Sequence, residues 1–229
     1  MFPTLAALFL AHVLADFVLQ TAAMVKDKSA PLMLAKHGAV VLVTAAAATG
    51  SLSPWLLALT VVHLIIDVAK ARAPRTIWAF LADQAAHAAT IIAAAALIPM
   101  HWPDPAAAIM ALIAGAVLAT RAGGYAVGLL MEPWAADIAV GLTGAGRVIG
   151  NLERGLIFLL ILTGQTQNIG FLIAAKSVLR FGTVSDDRKV SEYVIIGTLA
   201  SVSWAIAAAL LTTILLNHLT TLGIPDLLP

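Results

Sequence analysis

Long apolar runs, separated by short connections that carry charge, proline or glycine, dominate the sequence. A helix that crosses a bilayer needs about 20 apolar residues, and most of the runs reach that length. Their predicted bounds are 2–23, 31–50, 53–71, 75–99, 105–131, 146–164, 167–181 and 191–220. We therefore expect an all-α, polytopic transmembrane helical bundle of seven or eight spans, the number depending on the short seventh run.

The connections are too short for a separate soluble domain, so residues 1–229 are predicted to form a single integral membrane domain. Its first part, 1–100, contains four helices, and 101–229 supplies supporting helices. Composition agrees, because 61% of the residues are apolar, 11% are charged and the mean hydropathy is +0.98, whereas soluble domains carry about a quarter charged residues. The first run lacks a basic leader and a cleavage site, which favours a retained span over a signal peptide.

Basic residues fall on alternate connections, which predicts the orientation in the membrane. They are Lys26, Lys28 and Lys36 around the first connection, Lys70, Arg72 and Arg75 around the third, and Arg188 and Lys189 at the seventh. The N-terminus is thus expected outside, with every odd-numbered connection in the cytoplasm. The bilayer is the predicted partner, nucleic acid is not, and the sequence leaves the oligomeric state undetermined.

A short polar motif recurs within the first four runs. "HVLAD" at 12–16 returns as "HLIID" at 63–67, and His37 returns as His87, at offsets of 51 and 50 residues. This favours a tandem helical hairpin repeat in which both copies have the same orientation. With three matched residues per copy, chance recurrence is the alternative.

Seven ionisable side chains in these four runs are predicted to lie in the cytoplasmic half of the bilayer. They are His12, Asp16, His37, His63, Asp67, Asp83 and His87. The i, i+4 spacing places each His–Asp pair on one helical face. Because a carboxylate near the bilayer centre costs at least about 2–3.5 kcal/mol, we expect these faces to meet in a common polar centre.

Imidazole and carboxylate together suit zinc, manganese or ferrous iron, and the absence of cysteine excludes thiolate ligands. The metal hypothesis assigns the ligands as His12, Asp16, His63, Asp67 and His87. A metal-bound water would be the nucleophile, with Asp83 as general base. Two alternatives remain open: hydrogen bonds that simply join helices, and a path for protons or ions.

Further polar residues are candidates for binding a substrate or a lipid headgroup. Near the cytoplasmic mouth these are Gln20, His37, Lys70 and Gln84, which otherwise serve as interfacial anchors. In the second half they are Arg154, Lys176 and Arg180. The favoured interpretation there is structural, with ion pairs of Glu153 with Lys176 and of Glu192 with Arg180.

The segments "AHVLADFVLQ", "HLIIDVAK" and "DQAAH", with a lysine-bearing connection between the first two, resemble the N-terminal signature of a bacterial membrane family known as domain of unknown function 3307. The later text "IGNLERGLIFLLILTGQ…IGFLIAAKSVLRF…EYVIIGTLAS" is similar to the C-terminal part of its longer members. The resemblance implies a bacterial cytoplasmic (inner) membrane protein and no known activity. The His-x-x-x-Asp spans also resemble, faintly, membrane-bound metal-dependent hydrolases.

We therefore predict a metal-dependent intramembrane hydrolase or transferase that acts on a lipid-linked substrate from the cytoplasmic leaflet. A proton-coupled or metal-ion transporter is the alternative that uses the same residues as a binding site and relay. A structural or assembly membrane protein without catalysis is the third interpretation.

Overall fold

The computed structural model describes residues 1–26, 30–137, 142, 144–184 and 188–219, with the backbone alone for Asp104 and residues 179–184. The described chain is helical and contains no strand, as predicted. The helices are α1 Phe2–Phe17, α2 Ala22–Lys26, α3 Pro31–Thr49, α4 Pro54–Ala71, α5 Ile77–Ala95, α6 Asp104–Val117, α7 Gly123–Met131, α8 Ala145–Leu162, α9 Gln167–Val184 and α10 Arg188–Leu216. A π-helical turn, Leu118–Ala122, joins α6 to α7, and a 3₁₀ helix, Glu132–Asp137, follows α7.

Five helical segments among the described residues are long and apolar enough to cross a membrane, which is consistent with a membrane protein. They are Pro31–Thr49, Pro54–Ala71, Ile77–Ala95, Pro105–Ala136 and Arg188–Leu216. Seven or eight spans, and the repeat, stay predictions. The predicted first element is too long, because α1 leaves helical geometry at Val18 (φ −121) and has only 16 residues.

Local sequence signals fix the ends of the helices that carry the polar cluster. Pro31 and Pro54 occupy first turns, where a missing N–H costs nothing. The Ser53 hydroxyl accepts from the Trp55 amide, and the Thr76 hydroxyl accepts from the Ala79 amide. These caps set where α3, α4 and α5 begin, and therefore which residues lie in their first turns.

The described chain divides into two compact units. The first contains Met1–Val117 and residues 214–219. In it α1 packs against α3, α5 and α6, and α4 packs against α3 and α5. Small side chains on α1 allow this close approach; those with at most 3% exposure include Ala6, Ala7 and Ala11.

The second unit contains Leu118–Thr213 and is organised around a buried arginine. Arg154 of α8 is 3% exposed. Its Nε donates to the Ala119 carbonyl at 2.9 Å and its Nη2 to the Thr120 carbonyl at 3.0 Å. Both carbonyls belong to the π-helical turn, whose altered hydrogen bonding makes them available to a side chain. The arginine and the π-helical turn therefore stabilise each other.

Candidate metal centre

Seven ionisable side chains come together where α1 and α4 end and where α3 and α5 begin. They are His12 and Asp16 of α1, His37 of α3, His63 and Asp67 of α4, and Asp83 and His87 of α5. All four histidines and Asp67 are buried, and the side chains of Asp16 and Asp83 are each only 10% exposed. We call this set the His/Asp cluster. The sequence predicted its members, and the fold brings all of them together.

Four of these side chains surround one pair of imidazole nitrogens, and we call this set the His37–His63 centre: Asp16, His37, His63 and Asp67. The Nε2 atoms of His37 and His63 are 3.1 Å apart. Asp16 Oδ1 lies 3.4 Å from the first and 3.3 Å from the second. Asp67 Oδ2 lies 3.0 Å from His37 Nε2 and 3.5 Å from His63 Nε2. Each carboxylate oxygen thus completes a triangle on the same pair of imidazole nitrogens.

These edges have the length expected between ligands of one ion. Two donors about 2.0–2.2 Å from a cation, with an angle of about 90–110° between them, lie roughly 2.8–3.6 Å apart. All five distances in the His37–His63 centre are between 3.0 and 3.5 Å. The donor set, two imidazoles and two carboxylates, is the hard and borderline mixture that first-row divalent metals accept. Within this centre, His37, His63 and Asp67 have donor atoms that all lie within 4.8 Å of one another, so these buried groups can hold a metal ion.

Hydrogen bonding explains this arrangement less well. Asp16 Oδ1 is buried and, within the described chain, makes no hydrogen bond, although two imidazole nitrogens lie within 3.4 Å. An imidazole Nε2 offers either one proton or one lone pair, yet His37 Nε2 faces two carboxylates and a second imidazole. Two carboxylate oxygens on one pair of imidazole nitrogens are typical of a ligand set rather than of interhelical hydrogen bonds.

His12 and His87 lie beside this centre. Their rings stack with centroids 4.9 Å apart, and the His87 ring meets the His63 ring edge-on at 4.3 Å. The donor atoms of His12, Asp16, His63 and His87 all lie within 4.8 Å of one another. Asp67, Asp83 and His87 form another such group. His87 is common to both groups, so the cluster has more donors than one ion can use.

Asp83 connects the cluster to its exposed edge. Its Oδ2 accepts from Gln84 Nε2 at 3.1 Å and lies 4.0 Å from Lys70 Nζ. Lys70 is also 5.5 Å from the centre of the Phe80 ring. Asp83 Oδ1 is buried without a hydrogen-bond partner in the described chain. One carboxylate oxygen is therefore held by neighbours, whereas the other lies 3.7 Å from His87 Nδ1.

One residue from the predicted substrate set is placed differently from what its sequence position suggested. His37 was expected near the mouth, but it is 3% exposed and lies among the predicted ligands. Its equivalence to His87 in the proposed repeat was the signal for this role. Gln20 lies beyond the end of α1 and makes no hydrogen bond with the cluster among the described contacts. Gln84, by contrast, contacts both Asp83 and His12.

The candidates in the second unit are not part of the cluster. The predicted ion pair of Lys176 with Glu153 is confirmed at 2.6 Å. Glu192 pairs with Arg188 at 2.9 Å, while the side chain of Arg180 lies outside the described part of the chain. Arg154 donates to protein oxygens from all three of its nitrogens. These contacts favour the structural interpretation of both cations over headgroup binding.

Residues 4–111 match the model of a family described as "Protein of unknown function (DUF3307)", and over this segment the chain belongs to that family. The matched segment contains the whole His/Asp cluster, and it confirms the resemblance carried by residues 11–20 and 63–70. No curated protein and no solved structure matches the chain.

Proposed function

We propose that this member of the DUF3307 family is a metal-dependent membrane hydrolase or transferase that acts on a lipid-linked substrate at the cytoplasmic surface of a bacterial inner membrane. The observation that carries the proposal is the spacing of His37, His63 and Asp67, whose donor atoms all lie within 4.8 Å of one another. Asp16 Oδ1 lies 3.4 Å from His37 Nε2 and 3.3 Å from His63 Nε2. Zinc, manganese and ferrous iron all suit this donor set. When bound, such an ion supplies Lewis acidity and lowers the pKa of a coordinated water.

The protein's own residues have distinct roles in this proposal. The two carboxylates of the His37–His63 centre balance the charge of a divalent ion, which makes their burial tolerable. Asp83 takes a proton through Oδ1, because Gln84 holds its other oxygen. Lys70, 4.0 Å from Asp83 and with a side chain 17% exposed, attracts an anionic group of the substrate.

The position of the cluster supports a substrate that arrives along the membrane surface. Asp16 is the penultimate residue of α1, and Asp83 lies in the second turn of α5. Trp78, 77% exposed in the first turn of α5, marks the depth at which aromatic residues favour the bilayer interface. The basic connections predict that this surface is cytoplasmic. A headgroup can therefore reach the cluster while its lipid chains stay in the bilayer.

A transport pathway would need polar groups beyond the cluster. The hydroxyls nearer the other ends of α3 and α4 are those of Thr44, Thr49 and Thr60. Each donates to a carbonyl four residues earlier on its own helix, at 2.7–2.8 Å. The protons of these hydroxyls are used within the helix and are not available to a transported solute, which favours chemistry at one surface.

Metal analysis of the purified full chain tests this proposal first. After incubation with Zn²⁺ or Mn²⁺ and removal of loosely bound ions, the wild-type chain is expected to retain metal. Zinc-loaded and metal-free protein are then incubated with vesicles of bacterial polar lipid extract, and the lipid products are identified by mass spectrometry. We expect metal-dependent conversion of a lipid, abolished in Asp83→Asn, which leaves the metal in place. Absence of retained metal contradicts the proposal, and metal uptake into proteoliposomes without conversion assigns the site to transport.

A further inference from the structure

The His/Asp cluster contains two imidazoles that the His37–His63 centre does not use. His12 and His87 stack on each other with ring centroids 4.9 Å apart. His12 is 6% exposed and His87 is 1% exposed. Buried imidazoles are normally held by hydrogen bonds at their ring nitrogens. Each of these two rings instead presents one nitrogen without a hydrogen-bond partner among the described residues: His12 Nδ1 and His87 Nε2.

The hydrogen bond at the other nitrogen fixes the tautomer of His87. Its Nδ1 lies 3.0 Å from the main-chain carbonyl oxygen of Asp83. A carbonyl oxygen can only accept, so Nδ1 carries the proton. Nε2 therefore has a lone pair, in the form that binds metals. Leaving that acceptor buried and unsatisfied is unfavourable, and a bound cation would offset this cost.

A two-step chain of hydrogen bonds fixes His12 in the same way. Gln84 Nε2 donates to the Asp83 carboxylate at 3.1 Å, so the amide oxygen of Gln84 points away from Asp83. That oxygen lies 3.2 Å from His12 Nε2. Because it can only accept, His12 Nε2 carries the proton and Nδ1 has the lone pair. Oriented imidazoles of this kind are typical of metal ligands, whose second nitrogen is held by a neighbouring acceptor.

Asp16 faces both groups with different oxygens. Its Oδ1 approaches His37 and His63 at 3.4 and 3.3 Å, whereas its Oδ2 lies 3.8 Å from His12 Nδ1. A carboxylate that presents one oxygen to each of two donor sets can bridge two cations. Paired ions of this kind are separated by about 3.5–4 Å in two-metal hydrolytic sites.

From this geometry we infer that the cluster holds two divalent cations, the second bound by His12 Nδ1, His87 Nε2 and Asp16 Oδ2 beside the one in the His37–His63 centre. The inference rests on the proposed function, since it adds an ion to the same site. It also narrows the class of substrate, because two adjacent cations stabilise the attacking and leaving oxygens of an ester in an in-line displacement. Phosphate esters of lipids are the substrate class that such a pair favours.

Metal stoichiometry of the full chain, measured after saturation with Mn²⁺ alone, tests the inference. We expect two ions per chain in the wild type, with an electron paramagnetic resonance spectrum of a spin-coupled pair. His87→Ala is expected to bind one ion and to give the spectrum of an isolated ion. His101→Ala, which removes an exposed imidazole outside the cluster, is the matched control and should retain two.

The outcomes separate the inference from the proposed function. One ion in the wild type, and still one in His87→Ala, overturns the second site and leaves the first intact. No ion in the wild type overturns both. If His87→Ala does not fold, His12→Gln is used in its place and is also expected to bind one ion. The glutamine cannot reproduce the lone pair of Nδ1 at that position. Two ions retained by His12→Gln also contradict the assignment.

Discussion

Each of the two units buries strongly polar side chains, but the two units satisfy them in opposite ways. In the second unit, Arg154 donates to two main-chain carbonyls, to Ser201 and to Asn151 at 2.8–3.0 Å. In the first unit, buried nitrogens and oxygens of the His/Asp cluster lack hydrogen-bond partners within the described chain. A saturated polar group stabilises a fold, whereas a set of unsatisfied lone pairs that point at one another is prepared for a cation.

The two kinds of buried polar group also differ in how they affect the helices that carry them. The guanidinium of Arg154 donates to two carbonyls of the π-helical turn. Gly123 has no side chain and leaves room for Arg154 and Trp204 beside it. A Cβ at Gly123 would lie 2.5 Å from Trp204 Cδ1. The cluster residues instead lie in regular α-helical turns, where the main-chain hydrogen bonds form within the helix. Mutations in the two regions should therefore change different measured quantities.

The largest expected effect is on metal binding. His63→Ala removes a nitrogen that lies within 3.5 Å of three other donors. We expect metal affinity to fall by more than about 100-fold, since even residues behind the ligands change it by about 10–100-fold. Mass spectrometry of metal content in the purified chain measures this. His101→Ala is the control, and unchanged metal content in His63→Ala would contradict the role assigned to the cluster.

The next effect concerns stability and belongs to the second unit. Arg154→Met keeps most of the side-chain volume but leaves the carbonyls of Ala119 and Thr120 without their donor. We expect a loss of about 2–4 kcal/mol in unfolding free energy, with metal content unchanged. Thermal unfolding in detergent, followed by circular dichroism, measures the loss.

Arg188→Met provides the matched control for that experiment, because Arg188 is 89% exposed and pairs across one helical turn with Glu192. Exposed pairs of this kind contribute about 0.3–0.5 kcal/mol. If Arg154→Met unfolds no more readily than Arg188→Met, the guanidinium does not have the structural role described here.

A smaller loss of metal affinity is expected when a residue that orients a ligand is replaced. Gln84→Met removes the acceptor that orients His12, so metal affinity should fall by about 10–100-fold while the fold persists. Titration of the metal-free chain with Zn²⁺ in competition with a chelator measures the affinity. Gln167→Met, at an exposed position at the start of α9, should bind as the wild type does. Equal affinities in both variants would show that the tautomer of His12 is fixed by something else.

The smallest effect is at the ion pair of the second unit. Glu153 and Lys176 are 2.6 Å apart, with side chains 19% and 21% exposed. Because the pair is partly solvated, Glu153→Gln should lower the unfolding free energy by less than about 1 kcal/mol and leave metal content unchanged. A loss as large as that in Arg154→Met would mean that this pair stabilises the unit as strongly as the arginine does.

The members of the cluster could be predicted from the sequence because each His–Asp pair is recognised from residues only four positions apart. His12 with Asp16, and His63 with Asp67, share a helical face by spacing alone. His37 was expected nearer the mouth than Asp16 because the depth of Asp16 was counted from residue 23, whereas α1 ends at Phe17. Depth depends on where a helix stops, which sequence reasoning locates only within a few residues.

The environment of Arg154 could not be predicted for a different reason. Its partner Ser201 is 47 residues away, and its carbonyl partners become available only because the chain forms a π-helical turn there. Neither contact leaves a periodic signal in the sequence. The sequence indicated that the charge needed a partner, and the fold shows that neutral oxygens satisfy it.

X-ray absorption spectroscopy of the zinc-loaded full chain tests the central claim most directly. Binding in the His/Asp cluster predicts oxygen and nitrogen ligands at about 2.0–2.2 Å, together with the outer-shell scattering of at least two imidazoles. His63→Ala should weaken the imidazole signal, and Arg154→Met should leave it unchanged. A spectrum with oxygen ligands alone, or a chain that retains no zinc, would contradict the account.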